Sequence, residues 1–221
     1  MEIALILIIS GLVGYLFGSI PNGYLIGKIF FKKDVREYGS KNTGGTNVGR
    51  VFGKKVGLVV ILLDVLKTII PMYSTFFILK YTSLNQYNVH DYGLIISSFM
   101  ALVGHCFPIY TKFKGGKAVS SYLAICLATN WLFTIVGAIF YFIILKWKKY
   151  VSLASITTSI FITILTFIYA FFDTSFGMIL IHNSFYYFGF ICLYTIILIL
   201  RHMSNIKRLL NHSENKIKWL K

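Results

Sequence analysis

Residues Ala118 to Leu145 read AVSSYLAICLATNWLFTIVGAIFYFIIL, 28 residues without a charge. About 20 apolar residues cross about 30 Å of hydrocarbon as a helix, so this stretch is long for one crossing and short for two. Thr129-Asn130-Trp131 interrupts it with two polar residues and an aromatic of the interfacial kind. Whether the chain turns back at Asn130 decides on which side of a membrane everything after it falls.

A membrane is the setting that the composition demands. The 221 residues are 57% hydrophobic, 17% aromatic and only 13% charged, with a mean hydropathy of +0.73, whereas soluble domains carry about 25% charged residues. Further apolar runs of spanning length lie at Ile3–Ile26, Val56–Leu79, Gly93–Ile109, Val151–Phe172 and Met178–Leu200. Lys and Arg collect on the cytoplasmic side of spans. Of the 22 here, eight lie between Lys28 and Lys55, three between Lys112 and Lys117, three between Lys146 and Lys149, and six between Arg201 and Lys221. If 118–145 crosses twice, hinged at Asn130, all four groups share one face; if it crosses once, the last two oppose the first two. The expectation is therefore an all-α, polytopic integral membrane bundle of seven spans, forming one domain over residues 1–221. Its amino terminus is outside and its carboxyl terminus cytoplasmic.

The start, MEIALILIIS, has no basic leader and no small-residue cleavage site after it, so it reads as a retained span. Cys106, Cys126 and Cys192 fall in or beside spans without CxxC spacing and read as small apolar residues. Asn211-His212-Ser213 has the form of a glycosylation acceptor, but the expected topology puts it in the cytoplasm.

That topology turns four polar stretches into cytoplasmic loops. The first, EYGSKNTGGTNVGR from Glu37 to Arg50, holds four glycines and no Leu, Ile, Phe or Met. The others are GHCFPIYTKFKGGKAVSS (Gly104–Ser121), KKYVSLAS (Lys148–Ser155) and RHMSNIKRLLNHSE (Arg201–Glu214). Glycine lets backbone N–H groups close around an oxyanion, and Ser, Thr, Asn, Lys and Arg add donors. Phosphate suits this mixture. Gly115-Gly116-Lys117 reads as a turn in backbone conformations closed to other residues, with a point charge just before a helix N-terminus; it is no Walker A motif. Arg201, Asn205 and Arg208, at i, i+4 and i+7, share one helical face, with His202 three residues before Asn205, a donor-rich stripe.

Plainer readings stand beside these. Lys28, Lys32, Lys33, Lys54 and Lys55 serve topology and anionic lipid equally well. His105 next to a span end is as readily an interfacial hydrogen-bonder as a ligand group. Asp64 and Lys67, i and i+3 inside the second span, read as a structural ion pair facing the bundle interior. His182 and Asn183 read as helix-packing polar groups.

The loops resemble the bacterial integral-membrane acyltransferase family that uses acyl phosphate to acylate glycerol 3-phosphate. Its first motif, approximately GSGNPGATNxxR, corresponds to Gly39–Arg50. Its second, GHxFPxxxxFxGGKGxxT, corresponds to Gly104–Ser121, with His105, Phe107, Pro108, Phe113, Gly115, Gly116 and Lys117 in register. Its third, RHxxNIxRLLxGxE, corresponds to Arg201–Glu214. LLDVLK at Leu62–Lys67 and YVSLAS at Tyr150–Ser155 resemble its connecting segments. Lys41, Ala118 and His212 stand where the family has glycine, and Thr43 where it has proline.

The resemblance implies transfer of a fatty acyl group from acyl phosphate to the 1-hydroxyl of sn-glycerol 3-phosphate, an early step of phospholipid synthesis in a bacterial cell membrane, with the site facing the cytoplasm. By position it implies Lys117, His202 and Asn205 as catalytic. Ser40, Asn42, Thr46, Asn47, Arg50, His105, Gly115, Gly116, Ser152, Arg201, Arg208 and Glu214 become substrate-binding, with the two glycines cradling the donor phosphate. No cofactor, metal or nucleic acid is expected; the partners implied are the two substrates, the lipid bilayer and the enzyme that generates acyl phosphate. No His is followed five positions on by Asp, since Tyr110, Tyr187 and Lys207 occupy those places after His105, His182 and His202. An acyl phosphate is already activated, so positioning and charge suffice, with a substrate phosphate oxygen taking the proton. The alternatives are an organic-phosphate transporter, which needs binding groups near the bilayer midplane, and a scaffold docking anionic lipid, which needs no ordered Gly, Asn and Thr.

Overall fold

The break at Asn130 is real, and Asn130 itself makes it. In the computed structural model, which describes residues 1–172, 174, 176–180 and 184–217, helix α6 (Val119–Thr129) ends and α7 (Trp131–Lys148) begins on either side of it. Asn130 is extended, with φ −150° and ψ 104°, and its Oδ1 caps α7 by accepting from the Phe133 N–H. The hinge is tied to residues 177–179: Trp131 N–H donates to Gly177 O at 3.2 Å and Ile179 N–H to Thr129 O at 2.8 Å. Met178 thus bridges to Asn130 instead of opening the last span, which starts later. His182 and Asn183 lie outside the described residues.

The chain divides into two compact units, Met1–Ile125 and Cys126–Lys221. The first contains α1 (Glu2–Gly18), α2 (Asn22–Phe31), α3 (Gly45–Phe52), α4 (Lys54–Tyr81), α5 (His90–Cys106) and most of α6. The second contains α7, α8 (Val151–Phe171), α9 (Ser184–Arg201) and α10 (Met203–Leu210). Among the described residues five helical stretches are long and apolar enough to span: Glu2–Phe31, Lys54–Tyr81, His90–Thr111, Trp131–Lys148 and Val151–Phe171. The bent pair α9–α10 makes a sixth if it counts as one span. Helix α6 has 11 residues, a rise of about 16 Å and half the hydrocarbon thickness. Side chains such as Leu12, Leu58, Phe142 and Ile164 point outward, as lipid-facing helices require.

Small residues set the packing of the first unit. A Cβ on Gly14 would lie 2.1 Å from Ser97 O, and one on Gly18 2.1 Å from Ala101 O, so α1 runs backbone to backbone along α5. The expected continuous span Ile3–Ile26 is broken over residues 19–21, because Pro21 has no N–H to continue the ladder. At the break the carbonyl of Ile20 accepts from Lys67 Nζ at 2.7 Å as well as from the Asn22 N–H at 3.1 Å. In the second unit α7 crosses α8 at Gly137, where a Cβ would lie 3.1 Å from Ile162 Cδ1, and Phe140 stacks on Phe161 at 4.3 Å. Helices α8 and α9 are joined by the Thr163 and Thr195 hydroxyls, 2.8 Å apart.

Candidate active site

In the first unit the polar loops lie towards one end: the loop before α3 packs on the first turns of α4, and the ends of α1 and α5 meet α4 farther along, at Lys67 and Asp64. The loop over residues 32–44 is anchored by Val35, which packs with Val48 and Val60 in a small buried cluster completed by Ile26, Val51, Phe52 and Val56. Asp34 accepts the Arg36 N–H at 3.0 Å and pairs with its guanidinium at 2.7 Å, while that guanidinium lies over the Tyr24 ring. The Arg36 hydrogen bond holds the Asp34 carboxyl below its ordinary range.

Asn47 organises this loop from within. It is buried, its Oδ1 accepts from the Ser40 N–H at 2.7 Å, and its Nδ2 reaches the carbonyls of Asn42 at 2.9 Å and of Val35 and Tyr38 at 3.1 Å. Its hydrogen-bonding capacity is thus committed to holding the loop closed. Asn42 does likewise, its Oδ1 accepting from the Gly44 N–H at 2.8 Å. The glycines divide by task. Gly39 has φ +59°, whereas Gly45 and Gly49 let α3 lie on α4: a Cβ on Gly45 would fall 2.6 Å from Gly57 O. Ser40 is half-buried, while Thr46 and Arg50 are exposed.

The second loop corrects the reading of Gly115-Gly116. Neither glycine has positive φ; the left-handed residues here are Lys112, Phe113 and Ala118. Space is what demands the glycines. A Cβ on Gly115 would lie 2.3 Å from His105 O, and one on Gly116 1.9 Å from His105 Nε2. The Gly116 N–H donates to His105 O at 2.9 Å. The pair seats the loop on His105 and presents Lys117, half-buried, two residues before α6. His105 is itself buried, its Nδ1 3.9 Å from Asp64 Oδ2. Asp64 also receives Lys67 Nζ at 2.8 Å and Asn22 Nδ2 at 2.9 Å. The sequence held a signal for Asn22, since Pro21-Asn22-Gly23 is a polar interruption inside an expected span.

The second unit carries the other residues, also at one end. The stripe Arg201, Asn205, Arg208 does not form on one straight helix, because the chain bends by 58° between α9 and α10. His202 occupies the bend. It is buried, and its Nδ1 lies 2.8 Å from Leu198 O, a carbonyl that accepts only. Nδ1 therefore carries the proton, and in the neutral ring Nε2 is an acceptor. Beyond the bend, Glu214 draws three predicted residues together: Oε1 accepts from Ser152 Oγ at 3.2 Å and Asn205 Nδ2 at 2.9 Å, and Oε2 from Arg208 Nε at 2.7 Å. The segment is pinned by the Ile217 N–H on Lys149 O at 2.8 Å, with Ile217 against Leu145 and Ala154. Arg201 ends α9, half-buried on the near side of the bend.

Residues 8–212 match the family model described as glycerol-3-phosphate acyltransferase. The glycerol-3-phosphate acyltransferase of Staphylococcus haemolyticus (strain JCSC1435) is 41% identical over 220 residues, covering 100% of each chain. That of Staphylococcus aureus (strain Newman) is 40% identical over 216 residues, 98% of this chain and 100% of its own. The solved structure of PlsY, an integral membrane glycerol 3-phosphate acyltransferase, in its glycerol 3-phosphate form superposes with a TM-score of 0.80. It is 30% identical, over 97% of this chain and 96% of that one. Its lysophosphatidic acid form gives 0.77. These likenesses favour an acyltransferase over the organic-phosphate transporter. With its several apolar helices and its clustered polar ends, the chain belongs to the glycerol-3-phosphate acyltransferase family, membrane enzymes of phospholipid synthesis.

Proposed function

We propose that this chain takes its acyl group from an acyl phosphate and transfers it to the 1-hydroxyl of sn-glycerol 3-phosphate, at the cytoplasmic face of a bacterial cell membrane. The products are 1-acylglycerol 3-phosphate and inorganic phosphate, and residues 1–221 act as one acyltransferase domain. Glycerol 3-phosphate as acceptor is supported by the family and by the ligand forms in which PlsY has been solved. The observation that carries the reading is that donors are gathered by packing within each unit: in the first, the Gly116 N–H on the His105 carbonyl seats the turn that holds Lys117, and in the second, Ser152, Asn205 and Arg208 meet on Glu214 just beyond His202. Both substrates are phosphate monoanions or dianions, so donors of this kind are what each requires. The Lys and Arg clustered in the polar loops support a cytoplasmic site by the positive-inside rule. Seven crossings follow if α6 counts as one, with the amino terminus outside.

The chemistry is nucleophilic substitution at the acyl carbon. The glycerol 1-oxygen bonds to the carbonyl carbon, the bond from that carbon to the bridging phosphate oxygen breaks, and phosphate leaves with the electron pair. The hydroxyl proton passes to a phosphate oxygen. Arg50 and Lys117 neutralise phosphate charge as it grows on the leaving group. His202 Nε2, an acceptor because Nδ1 is bonded to Leu198 O, accepts from the 2-hydroxyl of glycerol 3-phosphate and so orients the acceptor, leaving the single proton of the 1-hydroxyl to the phosphate. Asn42 and Asn47 shape the first loop, Thr46 opens the first turn of α3, and Gly115 and Gly116 set the second loop. Ser152, Asn205, Arg208 and Glu214 hold α10, which His202 begins, and Arg201 adds positive charge before the bend. The enzyme that makes acyl phosphate is the natural partner of such a reaction.

The test is a donor panel. Purified protein with glycerol 3-phosphate should turn over palmitoyl phosphate but neither palmitoyl-CoA nor palmitoyl-carrier protein. Robust product formation from the CoA thioester alone would contradict the reading.

A further inference from the structure

Helix α4 carries two ionisable side chains deep in an apolar bundle: Asp64 is 2% exposed and Lys67 6%. An i,i+3 ion pair adds little to a helix, and taking two charges out of water costs more than an apolar pair of the same volume would. Stability alone therefore does not explain them. Their partners come from other elements. Lys67 Nζ lies 2.8 Å from Asp64 Oδ1 and donates to Ile20 O at 2.7 Å, in the break between α1 and α2. Asn22 Nδ2, just after that break, donates to Asp64 Oδ1 at 2.9 Å. Asp64 Oδ2 faces His105 Nδ1, 3.9 Å away at the end of α5.

The last partner leads to the reactive end of the unit. The carbonyl of His105 receives the Gly116 N–H at 2.9 Å, and its ring lies so close over Gly116 that a Cβ there would meet Nε2 at 1.9 Å. On the far side of Lys117, the hydroxyl of Thr68, next to Lys67 on α4, donates to Ser121 Oγ at 3.2 Å. One turn of α4 thus clamps the Lys117 segment on both flanks, through His105 before it and Ser121 after it.

We propose that Asp64 is a positioning residue for acyl transfer: with Lys67 as its fixed counter-charge, it orients His105 and thereby holds the Gly115-Gly116-Lys117 turn in place. The inference rests on the reading of Lys117 as a phosphate-binding group. Its geometry also makes His105 a prop, since the ring is buried beneath Gly116. A misplacement of about 1 Å remote from the chemistry can cost on the order of 10²-fold in rate.

The experiment compares Lys117→Ala with the double replacement of Asp64→Asn and Lys67→Met, which leaves no lone buried charge. Steady-state kinetics are taken against acyl phosphate and glycerol 3-phosphate in turn, on protein whose fold is verified by cooperative thermal unfolding in detergent. The double variant should lose about 10- to 100-fold in kcat/KM, expressed in the KM of the same substrate that Lys117→Ala affects. Wild-type kinetics in the folded double variant beside an impaired Lys117→Ala, or a KM change for the other substrate only, would overturn the positioning role. If Lys117→Ala is itself kinetically normal, the phosphate reading of Lys117 fails and the proposal falls with it. Should the double variant not fold, His105→Asn decides: it keeps a polar amide facing Asp64 but loses the ring over Gly116. The same selective KM rise is expected, and unchanged kinetics would overturn the proposal.

Discussion

His105 covers Gly116 so closely that the site has no room for a single methyl: a Cβ at Gly116 would lie 1.9 Å from His105 Nε2, while the Gly116 N–H is bonded to the His105 carbonyl. Gly116→Ala must therefore push the ring away or lift the turn that carries Lys117. Activity should fall by about 10²-fold or more, while Gly189→Ala, where nothing lies within 4 Å, should behave as wild type. Specific activity of the two variants, purified in parallel, checks this.

Three positions where the resembling family has glycine keep a left-handed backbone in this chain: Lys41 at φ +56°, Ala118 at +66° and His212 at +52°. A non-glycine residue pays about 1–2 kcal/mol for that region, partly offset by the greater freedom glycine has when unfolded. Lys41→Gly and His212→Gly, both at exposed positions, should each raise stability by up to about 1 kcal/mol, read as an upward shift in Tm. Ala118 is fully buried, so its lost methyl should cancel the gain.

Asn47 points its amide nitrogen at three carbonyls and its oxygen at one N–H. Asn47→Asp keeps the shape but aims a carboxylate oxygen at those carbonyls, so it should destabilise the loop more than Asn47→Ala does, by about 1–3 kcal/mol. Proteolysis within residues 32–44 should follow the order Asp, Ala, wild type. Equal susceptibility of all three would contradict a loop-closing role.

His202 separates orientation from base catalysis. Because Nδ1 donates to Leu198 O, the group offered to a substrate hydroxyl is Nε2. His202→Gln can place an oxygen acceptor near that position and should retain measurable turnover, whereas His202→Asn replaces the Nδ1 donor only and should retain less. A general base would leave both inactive, and the wild-type rate would drop below a pH of about 6.5, the ordinary range of imidazole.

Much of this was readable before any coordinates. The hinge at Asn130 showed because two polar residues and an aromatic stood between two apolar runs, and the residue types of the four polar loops pointed to phosphate, in keeping with a glycerol-3-phosphate acyltransferase family. What escaped reading depended on distant partners. Nothing local tells that Gly116 exists for the His105 ring, or that Asp64 meets His105 across 41 positions of sequence. The face shared by Arg201, Asn205 and Arg208 failed for a different reason: helical periodicity assumes a straight helix, and the 58° bend at His202 breaks it. Asn47 was assigned to substrate on motif alone, yet its polar atoms are committed to the loop.

The central claim is attack at the acyl carbon of an acyl phosphate, and the bridging oxygen reports on it directly. Palmitoyl phosphate labelled with ¹⁸O at the bridging position should be turned over with glycerol 3-phosphate by the purified protein, and the released phosphate examined by ³¹P NMR. The label is expected to leave with inorganic phosphate, and 1-acylglycerol 3-phosphate to carry none of it. Label retained on a palmitoyl carboxyl oxygen, with unlabelled phosphate transferred or released, would contradict that claim.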